Sequence, residues 1–420
     1  MAIIKPFISI RPRKGKVADI AALPYDVYSR EEAKRLVTAQ PESFLAIDRA
    51  ETNFSDSVGT YDEVVYDKAR DLLWERVEKG DFIREEKQCY YIYELTMNGR
   101  TQTGIVACAA IDDYKNNIIK KHENTRLEKE LDRIRHVDVC SAQTGPIFLA
   151  YRSNKKINEV IRQVKDQEAE YDFTLEDGVR HRVFVISEEA QISTIEQAFA
   201  DINEIYIADG HHRCAAAVKV GEQRRANHPD YTGTEAFNYF LSVLFPDEEL
   251  YIMDYNRVLK DLNGYSVQQF YNEVVKRFEV EEITEKEDKH PNRKGTFHMY
   301  LDGRWYACTV RKEDIPLDEN GMADPVKALD VSLLQDILLA PVLGIDDPKT
   351  NARIDFVGGI RGIDELVRRC NEDCAVAFAM YPTAISELFA VSDAGLLMPP
   401  KSTWFEPKLR SGLFIHEIEQ

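Results

Sequence analysis

The short run Glu204-Ile205-Tyr206-Ile207-Ala208 leads directly into Asp209-Gly210, and His211-His212-Arg213 then open a helix-forming stretch over 214–220. An apolar run this short, bounded by a turn pair, reads as a buried strand rather than a helix. A strand that gives way at once to a helix demands a layered architecture in which the helix covers a sheet. Asn98-Gly99, between β-rich runs at 89–97 and 103–110, is a strong hairpin signal, and Asp302-Gly303 turns a second hairpin over 295–311. Further strands are expected at 3–10, 146–151, 181–186, 239–245 and 412–418. The expected fold is therefore α/β of the α+β type, a mixed sheet with antiparallel hairpins.

Helices are expected from Ser29, where Glu32 completes a capping box, over 55–79 up to Gly80, and around 192–200, 332 and 363. Val267, Phe270, Val274 and Phe278 mark one face of another. The greasy stretch 333–345 holds Asp336 and Pro341 and reads as buried core. Residues 112–136 and the loop 285–294 are densely charged. At 420 residues the chain is long enough for two or three units. The expected division is a core over 1–245 and an α/β unit over 246–420 whose tail returns to the site.

A net charge of −19 argues against nucleic acid as a partner, because phosphate backbones repel so acidic a chain. No stretch approaches the roughly 20 apolar residues of a membrane span. Pro6 and Pro12 interrupt the only candidate leader, so a soluble cytoplasmic chain is expected. The seven cysteines are scattered without a CxxC pair, which suits reduced thiols.

Three segments have the residue types for anion chemistry. The opening of the helix after Gly210 presents unpaired N–H groups and partial positive charge, and Arg213 can clamp phosphate oxygens as a fork. Two adjacent histidines there face different ways, so one faces a ligand while the other orients it. Lys120-Lys121-His122-Glu123-Asn124-Thr125-Arg126 offers Glu123 as a general base among cations. The bland alternative is a solvated, ion-paired helix. Arg126 stands where HExxH needs its second histidine, which excludes a zincin and leaves little for a zinc hydrolase using His122, His136, His211 and His212. The tail Pro399-Pro400-Lys401-Ser402-Thr403, continuing to Lys408, is a stiff loop with two lysines and two hydroxyls.

Taken together these segments resemble a bacterial and archaeal domain-of-unknown-function family. Its motifs are matched by Pro24-Tyr25-Asp26-Val27, Gln40-Pro41 with Ser43-Phe44-Leu45, His122-Glu123 with Thr125, and Asp132-Arg133. Asp209-Gly210-His211-His212-Arg213 and the Met398 to Lys408 tail complete the set. The Asp-Gly-His-His-Arg turn is in turn similar to that of ParB/sulfiredoxin-like free-serine kinases. That resemblance implies a phosphotransferase acting on free L-serine or O-phosphoserine. With pyrophosphate or ATP/ADP as co-substrate, Mg²⁺ is then expected near Asp209, because the donor is a polyphosphate. The resemblance implies Glu123, Asp209, His211 and His212 as catalytic groups. Gly210, Arg213, His122, Thr125, Arg133, Lys401, Ser402, Thr403 and Lys408 would bind phosphate or substrate. A phosphoester hydrolase at the same site, or a non-catalytic phosphometabolite-binding protein, are the other readings. The sequence leaves the oligomeric state open.

Overall fold

The computed structural model describes residues 1–284 and 286–419; Glu285, at the start of the charged loop expected over 285–294, lies outside the described residues. The chain packs into two compact units, one formed by Met1–Leu250 with Pro407–Gln420 and the other by Tyr251–Glu406.

The described residues of the first unit build a nine-stranded mixed sheet. Its order runs Ile119–Lys120, Ile205–Asp209, Ile147–Tyr151, Tyr239–Pro246, Arg100–Ala110, Tyr90–Met97, Arg180–Ile186, Tyr171–Thr174, with Ile4–Lys5 paired to Arg100–Ala110. The Asn98-Gly99 hairpin forms in the expected register, Met97 opposite Arg100, and both turn residues take positive φ. Two neighbouring pairs are parallel: Ile205–Asp209 with Ile119–Lys120, and Tyr239–Pro246 with Ile147–Tyr151. Central strands are buried along almost their whole length, because helices such as His211–Asn227 and Lys155–Lys165 pack on the sheet.

A second sheet of this unit runs Phe82–Arg84, Ser9–Pro12, Ile415–Glu417, Ala142–Gln143, so the end of the chain is an inner strand. Phe44, fully buried, explains the Gln-Pro-x-Ser-Phe-Leu motif as packing: its ring stacks edge-on with Phe82 and abuts the backbone of Gly412. A Cβ on Gly412 would lie 2.4 Å from that ring, at a φ of 79°. Gly412→Ala is therefore expected to cost at least about 2 kcal/mol, from left-handed strain plus overpacking. Urea unfolding checks this; a loss under about 0.5 kcal/mol, the range of an ordinary surface change, would mean the tail does not pack there.

In the second unit a six-stranded antiparallel sheet runs Phe278–Ile283, Arg304–Val310, Thr296–Leu301, Val376–Ala379, Tyr255–Leu259, Ile354–Gly358. The expected buried stretch is there: Leu333, Leu334, Leu338, Leu339, Val342, Leu343 and Ile345 fill its core.

Some local expectations are corrected. The strand expected over 3–10 breaks into Ile4–Lys5 and Ser9–Pro12, with Pro6 unable to donate to a ladder. The helix expected from Ser55 starts only at Glu63, after a loop in which the Asp62 carboxylate accepts from the Gly59 amide. Val267 is 40% exposed while Phe270 and Val274 are buried, so it lies at the helix edge. The charged segment 112–136 is no continuous helix: Ile111–Lys115 and Leu127–Cys140 flank a strand and a loop that holds His122 to Arg126. All seven cysteines are free, and all but Cys370 are buried. Among the described residues no helix is long and apolar enough to cross a membrane.

Candidate functional site

Parallel pairing brings the two anion-suited segments of the first unit together. Ile119 lies opposite Ile205 and Lys120 opposite Tyr206, so the residues that leave the ends of both strands emerge side by side. One strand delivers His122-Glu123, the other Asp209-Gly210-His211. A register shift between Ile207 and Asp209 marks a bulge at the strand end, a device that re-aims a side chain. Gly210 caps the helix His211–Asn227 with φ 93°, and its bare α-carbon leaves room for the Arg213 guanidinium, 3.2 Å from where a Cβ would stand.

Here Glu123 Oε2 lies 3.9 Å from His211 Nδ1, with Glu123 58% exposed and His211 buried. The rings of His122 and His211 meet edge to face at 4.5 Å between centroids. His212 turns the other way, and its Nε2 accepts from the Arg126 backbone N–H at 2.9 Å. Asp209 accepts from the Gly210 amide at 2.8 Å and from Lys408 Nζ at 2.9 Å. Burial alone would raise the Asp209 carboxyl, but Lys408 and Arg213 outweigh it and hold the group well below the usual carboxylate range. Burial drives His122 down to about 4 against the pull of Asp209. Burial and the neighbouring His122 push His211 down as well.

The first unit also holds a polar cavity of about 250 Å³, lined among others by Tyr25, Asp48, Arg49, Asp132, Arg133 and His136. A recess sharing Tyr25, Asp48, Arg133 and His136 extends from it to Arg213 and Ser411. Arg133 is buried, bonded to Asp132 Oδ2 through Nε at 2.9 Å and Nη2 at 2.8 Å, with its guanidinium 3.9 Å from the centre of the Tyr25 ring. Arg213 donates to the Pro146 carbonyl at 2.6 Å. His211 thus meets Glu123 and His122, while Arg213, two residues on, lines the recess that it shares with Arg133.

The remaining residues divide. Thr125 donates to Glu130 at 2.6 Å. Lys401, Ser402 and Thr403 belong to the second unit; there Ser402 Oγ donates to the Pro399 carbonyl, and the Lys401 carbonyl accepts from Arg257. Residues that sequence reasoning left without a role include Asp48 and Ser411. Tyr25 had a signal, the Pro-Tyr-Asp-Val motif, but no chemistry attached to it.

The buried histidines give acid sensitivity. Burial holds His122 and His136 near about 4, against an ordinary value of 6.5. Between those values the unfolded chain binds protons that the folded chain refuses. Stability is then full above about 6.5 and falls as the pH drops toward 4. Urea midpoints measured from pH 7 to 4.5 are expected to fall less steeply in His122→Asn than in the parent. Identical profiles in the two proteins would mean that the His122 ring titrates normally.

Residues 4–332 match the family described as "Protein of unknown function (DUF1015)". The chain belongs to that family. No curated protein matches this DUF1015 chain. Among solved structures, free serine kinase in complex with AMP is similar at 15% identity and TM-score 0.32, over 72% of this chain and 86% of that one. SbnI with C-terminal truncation from Staphylococcus aureus is 10% identical at TM-score 0.36, over 72% and 82%. A conserved hypothetical protein from Pyrococcus furiosus is 15% identical at TM-score 0.33, over 73% and 93%.

Proposed function

We propose that this DUF1015 chain is a small-molecule phosphotransferase that moves a phosphoryl group from a polyphosphate to the hydroxyl of a free amino acid, L-serine foremost. The observation that carries the reading is the approach of the Glu123 carboxylate to His211 at the opening of a glycine-capped helix. A serine hydroxyl needs a base within reach, and a transferring phosphoryl needs fixed positive charge more than covalent help. Glu123 takes the hydroxyl proton as the new O–P bond forms. The helix opening, Arg213 and Arg133 hold the phosphates, and the bridging P–O bond breaks to release the leaving phosphate. Lys408 fixes Asp209 at the turn. Serine as acceptor rests on the Asp-Gly-His-His-Arg resemblance.

The Arg133 and Arg213 guanidinium groups that border one recess suit a compact polyphosphate, which supports pyrophosphate as donor. The residues at Asp209 do not fit a bound Mg²⁺, because the carboxylate is already held by Lys408 and the Gly210 amide, and Mg²⁺ asks for several oxygen ligands.

Purified protein with L-serine and Mg²⁺ in the buffer, given pyrophosphate, ATP or ADP in turn, is expected to form phosphoserine, fastest with pyrophosphate. Orthophosphate release that does not depend on serine would make the chain a hydrolase instead. Binding without turnover of any donor would make it a phosphometabolite sensor.

A further inference from the structure

The trio His122, Glu123 and His211 has a property that base and cradle leave unused. One ligand atom from each lies within 4.8 Å of the others, and no other such group of His, Cys, Asp or Glu occurs among the described residues. Both imidazoles are buried. Their hydrogen bonding is incomplete: His122 Nδ1 and His211 Nε2 are buried with no partner among the described residues. A buried polar atom left without a partner is destabilising unless something completes it. His122 hydrogen-bonds the Ile207 backbone, an interaction that favours its protonated form and so is a donation to the carbonyl. With Nδ1 unpartnered, the donor is Nε2–H, and the lone pair stays on Nδ1. A ring nitrogen pinned by a carbonyl, with its opposite nitrogen bare, is the arrangement of a metal-ligating histidine.

We infer that His122, Glu123 and His211 form a binding site for a borderline transition-metal dication of the Zn²⁺, Co²⁺ or Mn²⁺ kind. Two imidazoles and one carboxylate suit these ions, whereas Mg²⁺ prefers all-oxygen surroundings. Bonds of about 2.0–2.1 Å in a tetrahedron set ligand atoms roughly 3.3–3.4 Å apart. The trio must therefore close by about 1.5 Å at most, and the exposed Glu123 on its loop can supply that movement. Three protein ligands leave a position for water or for a phosphate oxygen. The ligands come from the ends of two strands far apart in sequence, so no short spacing pattern announces them. The inference goes beyond the phosphotransfer reading and shares Glu123 and His211 with it: one Glu123 carboxylate oxygen binds the metal and the other still faces an acceptor.

The test is full-length protein stripped with a chelator and titrated with Co²⁺ alone, followed by visible absorption. One Co²⁺ per chain is expected, with ligand-field bands of a low-symmetry nitrogen-oxygen site, displaced by Zn²⁺ and not by a large excess of Mg²⁺. His122→Asn and His211→Asn are expected to weaken binding by at least about 100-fold, beyond the 10–100-fold typical of losing an outer-shell partner. Glu123→Gln changes an exposed side chain, cannot be blamed on a collapsed core, and is expected to weaken binding too. The exposed His228→Asn is the control, with unchanged binding. Wild-type protein that shows no ligand-field bands overturns the inference, as do bands that persist at full affinity in Glu123→Gln. Because no turnover is measured, failure to form phosphoserine leaves this result standing.

Discussion

Glu123→Gln is expected to lower turnover with serine by roughly 10²–10⁴-fold, the usual loss when a general base is removed. Glutamine matches the shape and still accepts a hydrogen bond, but it cannot take the hydroxyl proton. The side chain is 58% exposed on a loop, so its replacement disturbs no core, and the urea midpoint is expected to stay put. The KM for the donor is expected to hold within a few fold, since the phosphate groups of the cradle are untouched. The acid limb of the wild-type pH–rate profile, set by protonation of a carboxylate, is expected to vanish from the residual activity. Near wild-type turnover in this variant would reduce Glu123 to a solvated loop charge.

The turn that Glu123 faces was legible because its signals are local. An apolar strand, Asp209-Gly210 and the helix after it sit next to one another in sequence, and the positive φ of Gly210 is what a glycine before a helix announces. The Ser29–Glu32 capping box and the Asn98-Gly99 hairpin were readable for the same reason. What brings Glu123 to the turn was not readable. Its strand, Ile119–Lys120, has two residues, too few to show a period, and its parallel partner lies far along the chain. Charge density could not separate the His122 loop from the helix Leu127–Cys140, because both are rich in Lys, Arg and Glu.

The tail shows the opposite failure. Lys401, Ser402, Thr403 and Lys408 looked alike as anion groups, because composition ignores what a loop does with its own polar atoms. Ser402 closes its loop on the Pro399 carbonyl, whereas Lys408 reaches Asp209. Asp132-Arg133 reads in the sequence as a motif within a densely charged segment, with Arg133 a phosphate-binding candidate; both residues are only 7% exposed. Its burial depends on Tyr25, contributed by a turn more than a hundred residues earlier, and no helical periodicity within 112–136 encodes that contact.

Arg133→Leu is expected to cost about 3–5 kcal/mol of stability, as breaking a buried ion pair does when one charge is left behind. Among the described residues Asp132 would keep the Tyr66 hydroxyl, at 3.0 Å, as its hydrogen-bond partner, and Tyr25 would lose the cation over its ring. Replacing both members of the pair, Asp132→Leu with Arg133→Leu, is expected to recover most of that loss, because no uncompensated charge then remains in the core. Donor binding is expected to follow a different rule. Arg133 borders the recess that reaches Arg213, so both the single and the double variant lose one of the two guanidinium groups there. Pyrophosphate affinity, measured by calorimetry, is expected to weaken in both by roughly 10-fold or more, since a charge-assisted hydrogen bond contributes about 1.5–3 kcal/mol. Stability and affinity are thus expected to separate in the double variant: the fold recovers and the binding does not. If the single change costs under about 1 kcal/mol, the range of an exposed pair, the ion pair is solvated. If the double variant binds pyrophosphate as tightly as the parent, Arg133 only props up Tyr25, and the phosphates are held by the helix opening at Gly210 and by Arg213.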